Sequence, residues 1–117
     1  MTMTITLYGI PNCDTVKRAR AWLAEHGREV SFHDFKKAGV PADHLDAWVA
    51  SAGWERVLNR QGTTWRQLDD ALKTGVVDAA SAKRVMREQP SVIKRPVVEW
   101  ADGAITVGFD AADWARR

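Results

Sequence analysis

Cys13 is the only cysteine among 117 residues, and it follows a short loop in "YGIPNCDTVKRAR", residues 8–20. A thiol attacks as its thiolate, and a free cysteine has a pKa near ~8.5, so chemistry at neutral pH needs help from the surroundings. The start of a helix supplies such help, as unpaired backbone N–H donors and the positive end of the helix dipole. Cys13 stands where a helix should begin. Gly9 and Pro11 shape the preceding loop for close backbone approach, Lys17 lies one helical turn further as a cation, and Asp14 opposes it as an anion. By position alone two readings stand: Cys13 is a nucleophile, or it is a small apolar residue beside a turn, the usual role of a free cysteine. Thr15 either hydrogen-bonds the thiolate or caps the helix, and capping is the simpler role.

Other chemistries find less support. One cysteine excludes an internal disulfide and a multi-cysteine zinc site. His26, His33 and His44 are not at ligand spacing, so no metal site is expected. His33 and Asp34 either support the Cys13 site from a neighbouring strand or are simply polar residues of that strand. The net charge is +2, from 17 basic and 15 acidic residues that are interspersed, without the basic stripe of a nucleic-acid-binding protein. The N-terminal "MTMTITLYGI" is too short and polar for a signal peptide or membrane span. An unpaired thiol fits a reducing compartment, so the expected location is the cytoplasm, with no nucleic-acid or membrane partner.

The elements that must position Cys13 follow from periodicity. "ITLYG" (5–9) alternates as a strand and meets the loop. Val16, Ala19, Trp22 and Leu23 share one face of a helix for which Asp14 or Thr15 is the natural N-cap and Gly27 the stop. "REVSFHDF" (28–35) alternates again, so a parallel crossover joins two strands. Helices are predicted over 41–53, from Pro41 to Gly53, over 63–75, and over 78–89 between Asp78 and Pro90, with one helical turn and a loop over 54–62. "RPVVEWADGAITVGF" (95–109) predicts two strands around a two-residue turn, Asp102-Gly103, and Asp110 caps a last helix. Of the six tryptophans, Trp22, Trp48 and Trp65 fall on apolar helix faces, whereas Trp54, Trp100 and Trp114 are unconstrained by pattern and available for a partner surface.

The order βαβ, helical insert, ββα, with a thiol at the first helix, predicts an α/β thioredoxin-like fold with a mixed four-stranded sheet. One domain covers 1–117, its core spanning about 1–37 and 90–117 and its helical insert about 38–89.

"LYGIPNCDTVKRARAWL", "FHDFKKAGV", "GWERVLNRQGTTWRQLDD", "DAASAKRVM" and "IKRPVV", in this order, resemble the arsenate reductase (ArsC)/Spx family of thioredoxin-fold proteins, and within it the YffB-like subgroup. The resemblance covers nearly the whole chain. It implies that Cys13 is the catalytic nucleophile and that Arg60, in "LNRQGTTW", and Arg95, in "IKRP", hold an oxyanion or carboxylate. A guanidinium suits that task, because it stays charged and presents forked donors. The resemblance also implies that Pro96 is the cis-proline facing the cysteine, and it places Asn12, Thr15 and Lys17 at the same substrate- or glutathione-binding site. Lys94 is a further cation beside it, or a solvated lysine.

Two positions depart from the family. Phe109 in "VGFDAADW" stands where arsenate reductases carry a third arginine, and Val16 stands where Spx regulators often carry a second cysteine. The resemblance therefore implies a monothiol, glutathione-dependent thiol–disulfide reductase, with no bound cofactor and glutathione as reductant or co-substrate. The alternatives are a glutaredoxin-coupled arsenate reductase, with glutaredoxin as partner, and a non-enzymatic Spx-like protein that binds RNA polymerase.

Overall fold

The computed structural model describes residues 4–117 of the chain. Alternating apolar residues form the first strand, β1 (Ile5–Gly9), and the amphipathic run after it forms α1 (Asp14–Glu25). Val16, Ala19 and Leu23 are fully buried on one face of α1. The helix ends in a Schellman motif, with Arg28 N–H donating to Leu23 O at 2.9 Å and Gly27 N–H to Ala24 O at 3.1 Å. β2 (Val30–Asp34) pairs parallel to β1, and β3 (Val97–Glu99) pairs antiparallel on its other side. With β4 (Ile105–Val107) the order is β2-β1-β3-β4, the mixed four-stranded sheet that the element order predicts.

Phe35–Lys94 forms one compact unit, and the described residues through Asp34 form the other together with Arg95–Arg117. The sheet unit closes its core on the α1 side. Ile5, Leu7 and Val98 meet Val16, Ala19 and Leu23, and Trp100 and Trp114 complete the cluster. At about 1.5–3 kcal/mol for each large apolar side chain, this face is the main source of stability here. Trp100 and Trp114 are 5% and 1% exposed and pack edge to face at 5.1 Å. The idea of a partner surface at these two positions is therefore overturned: they lie in a turn and a four-residue helix, where a periodicity window has too little to read.

The second unit is helical: α2 (Phe35–Ala38), α3 (Ala42–Ala52), α4 (Trp54–Val57), α5 (Thr63–Gln67), α6 (Asp70–Thr74) and α7 (Ala79–Glu88), followed by a 3-10 turn at Pro90–Val92. α3 packs on α7, with Leu45 and Trp48 buried on the first and Val85 and Met86 on the second. The Asp78 carboxylate caps α7 by accepting from Ser81 N–H at 2.9 Å. α8 (Ala111–Trp114), capped by Asp110, ends the chain's last helical run, as expected.

Local details differ from the sequence reading. Cys13 itself is the N-cap of α1, so Asp14 and Thr15 are its first two helical residues rather than caps. Pro41 is the N-cap of α3 and not its first residue. The helix expected over 63–75 is two, because Leu68 is extended and Asp69 starts a new helix. Asp69 caps the second helix through its backbone alone, its carbonyl accepting from Lys73 N–H at 3.1 Å. The turn between β3 and β4 has three residues, not two. Gly103 N–H donates to Trp100 O at 2.9 Å and Trp100 N–H to Ala104 O at 2.8 Å. With Gly103 at φ 91°, this is a turn followed by a glycine bulge.

Candidate functional site

Strand register brings three loops of the sheet unit to one place. Tyr8 is opposite Val97, and Val97 is opposite Val107. The C-terminal end of β1, the N-terminal end of β3 and the C-terminal end of β4 thus share one end of the sheet. Residues 10–13, 95–96 and 108–110 leave from it.

Cys13 terminates the first of these loops. Its backbone is extended (φ −130°, ψ 125°), and its carbonyl accepts the first helical bond, from Lys17 N–H at 2.9 Å. Its side chain makes no capping hydrogen bond and is half-buried at the rim of the sheet unit's core. The first N–H groups of α1 have no acceptor within the helix. Asn12 and Lys17 are exposed beside Cys13, and Thr15 is half-buried. A tight contact sets the loop's approach. A Cβ on Gly9 would fall 2.9 Å from Val16 Cγ2, so only glycine lets β1 end this close to α1. Val16, at the position of a possible second cysteine, is therefore fully buried against β1.

The second loop contributes Arg95 and Pro96. Their peptide bond is cis, Pro96 is buried and Arg95 is half-buried. Pro96 O accepts a hydrogen bond from Gly108 N–H at 2.8 Å, which ties the second loop to the third. On that third loop Phe109 is half-buried, its ring edge-on to Trp114 at 4.7 Å.

Arg60 belongs to the helical unit, on the segment after α4. It is exposed, and its guanidinium lies over the Trp54 ring at 5.6 Å. The segment is strapped to the end of the unit: Leu58 bridges Ile93, Asn59 N–H donates to Val92 O at 2.7 Å, and Lys94 N–H donates to Val57 O at 2.8 Å. The result is an open groove of about 260 Å³ carrying Arg56, Arg60 and Lys94, with Asn59, Gln61 and Glu55. Three cations against one anion make it a place for an anionic group. Sequence reasoning picks out Arg60 and Lys94 but not Arg56, Asn59 or Gln61, because the groove depends on a strap between distant segments.

The sequence profile of the ArsC family matches residues 8–116. The chain belongs to the ArsC family. This ArsC-family chain is similar to an uncharacterized protein of Haemophilus influenzae, 40% identical over 110 residues that cover 94% of this chain and 95% of the other. Its fold superposes on that of a YffB protein with a TM-score of 0.91 and 50% identity, covering 97% of each. An arsenate reductase-related protein from Brucella melitensis superposes with a TM-score of 0.76 at 48% identity, over 99% of this chain and 95% of that one. At 26% identity over 98 residues, the chain is also similar to the global transcriptional regulator Spx of Streptococcus agalactiae, covering 80% of this chain and 69% of that one. The ArsC-family fold is thus the arsenate-reductase-like one, and the subgroup is YffB-like.

The remaining polar residues of this ArsC-family chain have local roles. Among the described residues, no three His, Cys, Asp or Glu side chains cluster as metal ligands do. His26 stacks on Trp22 at 3.8 Å, and His33 lies 4.9 Å from the Tyr8 ring. Tyr8 donates its hydroxyl proton to Glu99 Oε1 at 2.8 Å; burial, and then this bond, push its pKa well above the usual tyrosine value. Among the described residues, no helix is long and apolar enough to cross a membrane.

Proposed function

We propose that the chain is a monothiol thiol–disulfide reductase that uses glutathione, with Cys13 as its nucleophile. The carrying observation is that the chain's one cysteine sits half-buried at the start of a 12-residue helix in an ArsC-family fold. Helix N–H groups left without acceptors favour an anion there. In the first step the Cys13 thiolate attacks the glutathione sulfur of a mixed disulfide, R–S–S–G. The bond between the Cys13 sulfur and the glutathione sulfur forms, the S–S bond of the mixed disulfide breaks, and RS⁻ leaves with the electron pair and takes a proton from water. A second glutathione thiolate then attacks the glutathione sulfur of the adduct. Oxidised glutathione departs and Cys13 is restored as thiolate. With no second cysteine among the 117 residues, resolution requires an external thiol.

Arg95 at the sheet end and Arg60 in the cationic groove are the proposed holders of glutathione carboxylates, with Asn12, Thr15, Lys17 and Pro96 lining the site. Arg–carboxylate pairs suit this task because they are bidentate and charge-assisted. Dependence on reduced glutathione fits a reducing compartment, and the cytoplasm is the location proposed with it.

The test is turnover of a glutathione mixed disulfide by wild type and Cys13→Ser, with mass spectrometry after treatment with oxidised glutathione. The expected result is one glutathione on wild type, none on the variant, and no turnover by the variant. Equal turnover by both proteins would sink the proposal. Rapid glutaredoxin-coupled reduction of arsenate, without reduction of the mixed disulfide, would replace it by arsenate reduction at the same cysteine.

A further inference from the structure

We infer that Phe109 is an apolar wall of the Cys13 site and selects substrates whose non-glutathione half carries an uncharged, flat group beside the sulfur; this rests on the proposed role of Cys13. Phe109 follows β4 at the end of the sheet where Cys13 follows β1. Both side chains also pack against the same core cluster.

The two sequence neighbours of Phe109 and one ring contact fix its position. Gly108, just before it, is bonded through its N–H to Pro96 O at 2.8 Å. Asp110, just after it, is committed to capping α8, accepting from Asp113 N–H at 3.2 Å. The inner edge of the ring meets Trp114, which is 1% exposed and itself packs against Trp100 and Trp22 at 5.1 and 5.8 Å. Phe109 as a whole is half-buried, so it is only partly covered by these neighbours. A rigid aromatic surface that needs no reordering on binding favours an apolar partner and gives nothing to a charged one. The loop carries no cation, and Asp110 adds an exposed anion next to the ring. The cations of the proposed site, Arg95 and Arg60, are assigned to the glutathione half, which leaves the wall for the other half.

The experiment uses two disulfide probes, neutral 4,4′-dithiodipyridine and the dianionic 5,5′-dithiobis(2-nitrobenzoate). In each, Cys13 forms a bond to one probe sulfur, the probe S–S bond breaks, and a coloured thiolate leaves with the electron pair. With one cysteine in the chain, all the colour reports Cys13. The ratio of rate constants, neutral over anionic, is measured for wild type, Phe109→Leu, Phe109→Ala and Phe109→Arg. The expected ratio falls about tenfold in Phe109→Ala, as for a lost apolar contact, and further in Phe109→Arg. It stays within about twofold of wild type in Phe109→Leu, which keeps most of the apolar volume and guards against a folding artefact. Near-ultraviolet circular dichroism checks that the tryptophan cluster persists. A ratio unchanged across Phe109→Ala and Phe109→Arg overturns the wall. Failure of the nucleophile reading looks different: wild type then reacts with both probes no faster than free cysteine, whatever the ratio.

Discussion

In the sheet unit Cys13 is held by regular structure: a strand ends against a helix, with Gly9 and Val16 in contact and fully buried side chains at Val16, Ala19 and Leu23 beneath. In the helical unit Arg60 is held by a strap and a ring. Its segment is tied by one isolated bridge, and its guanidinium lies over Trp54. The difference matches the demands of the two roles proposed for them. A nucleophile must reach a bond in one direction, so small errors in its position are costly. A cation that holds a carboxylate tolerates more movement, because charge attraction weakens slowly with distance.

The sharpest way to break this comparison is to loosen the frame under Cys13. Leu23→Ala removes a fully buried side chain and should cost about 2–5 kcal/mol in urea unfolding. A loss under about 1 kcal/mol would mean that the α1 face is not the main support of this unit. Next come the two arginines. Arg95→Ala and Arg60→Ala should each lower kcat/KM for a glutathione mixed disulfide by about 10- to 100-fold, the range for a lost charge-assisted bond. Trp54→Ala should reproduce only a small part of the Arg60 effect. If Trp54→Ala matched Arg60→Ala, the ring would be more than a rest for the guanidinium.

A third measurement compares order inside the helical unit. α5 and α6 have no buried residues, whereas α7 buries Ala82, Val85 and Met86. Amide hydrogens over 63–74 should exchange well before those of α7. Equal protection would erase the distinction. The smallest effect concerns the α7 cap. The Ser81 backbone N–H, and then the Ser81 hydroxyl, hold the Asp78 carboxyl below its usual range. Its contribution to stability is present at neutral pH and is lost as the pH falls through that lowered pKa. Asp78→Ala should therefore lower the melting temperature slightly at pH 7, with the gap to wild type closing in acid. A gap that stayed constant with pH would mean that the carboxylate charge is not what caps the helix.

The parts of the fold that were legible in the sequence are those whose signals are local. β1 is plain alternation, α1 is a clean apolar stripe, and α7 carries its cap in Asp78. The interruption at Leu68 and Asp69 was hidden because Trp65, Leu68 and Leu72 keep helical spacing across it. The hairpin was legible but its loop length was not, since Asp-Gly serves both a two-residue turn and a glycine bulge. For the site, Cys13 was marked by position. Arg60 and Arg95 gained significance only through family resemblance, because an isolated arginine has no local signature. The groove around Arg60 was invisible, since Leu58 and Ile93 meet only in the folded chain.

The tryptophan cluster has an optical consequence. Trp114 and Trp100 are shielded from solvent, and the rim of their cluster includes Cys13 and Phe109. A disulfide formed on Cys13 places a polarisable sulfur pair at the edge of that cluster. The expected consequence is a change in intrinsic tryptophan fluorescence when the thiol is occupied, a label-free signal that a titration with oxidised glutathione would read.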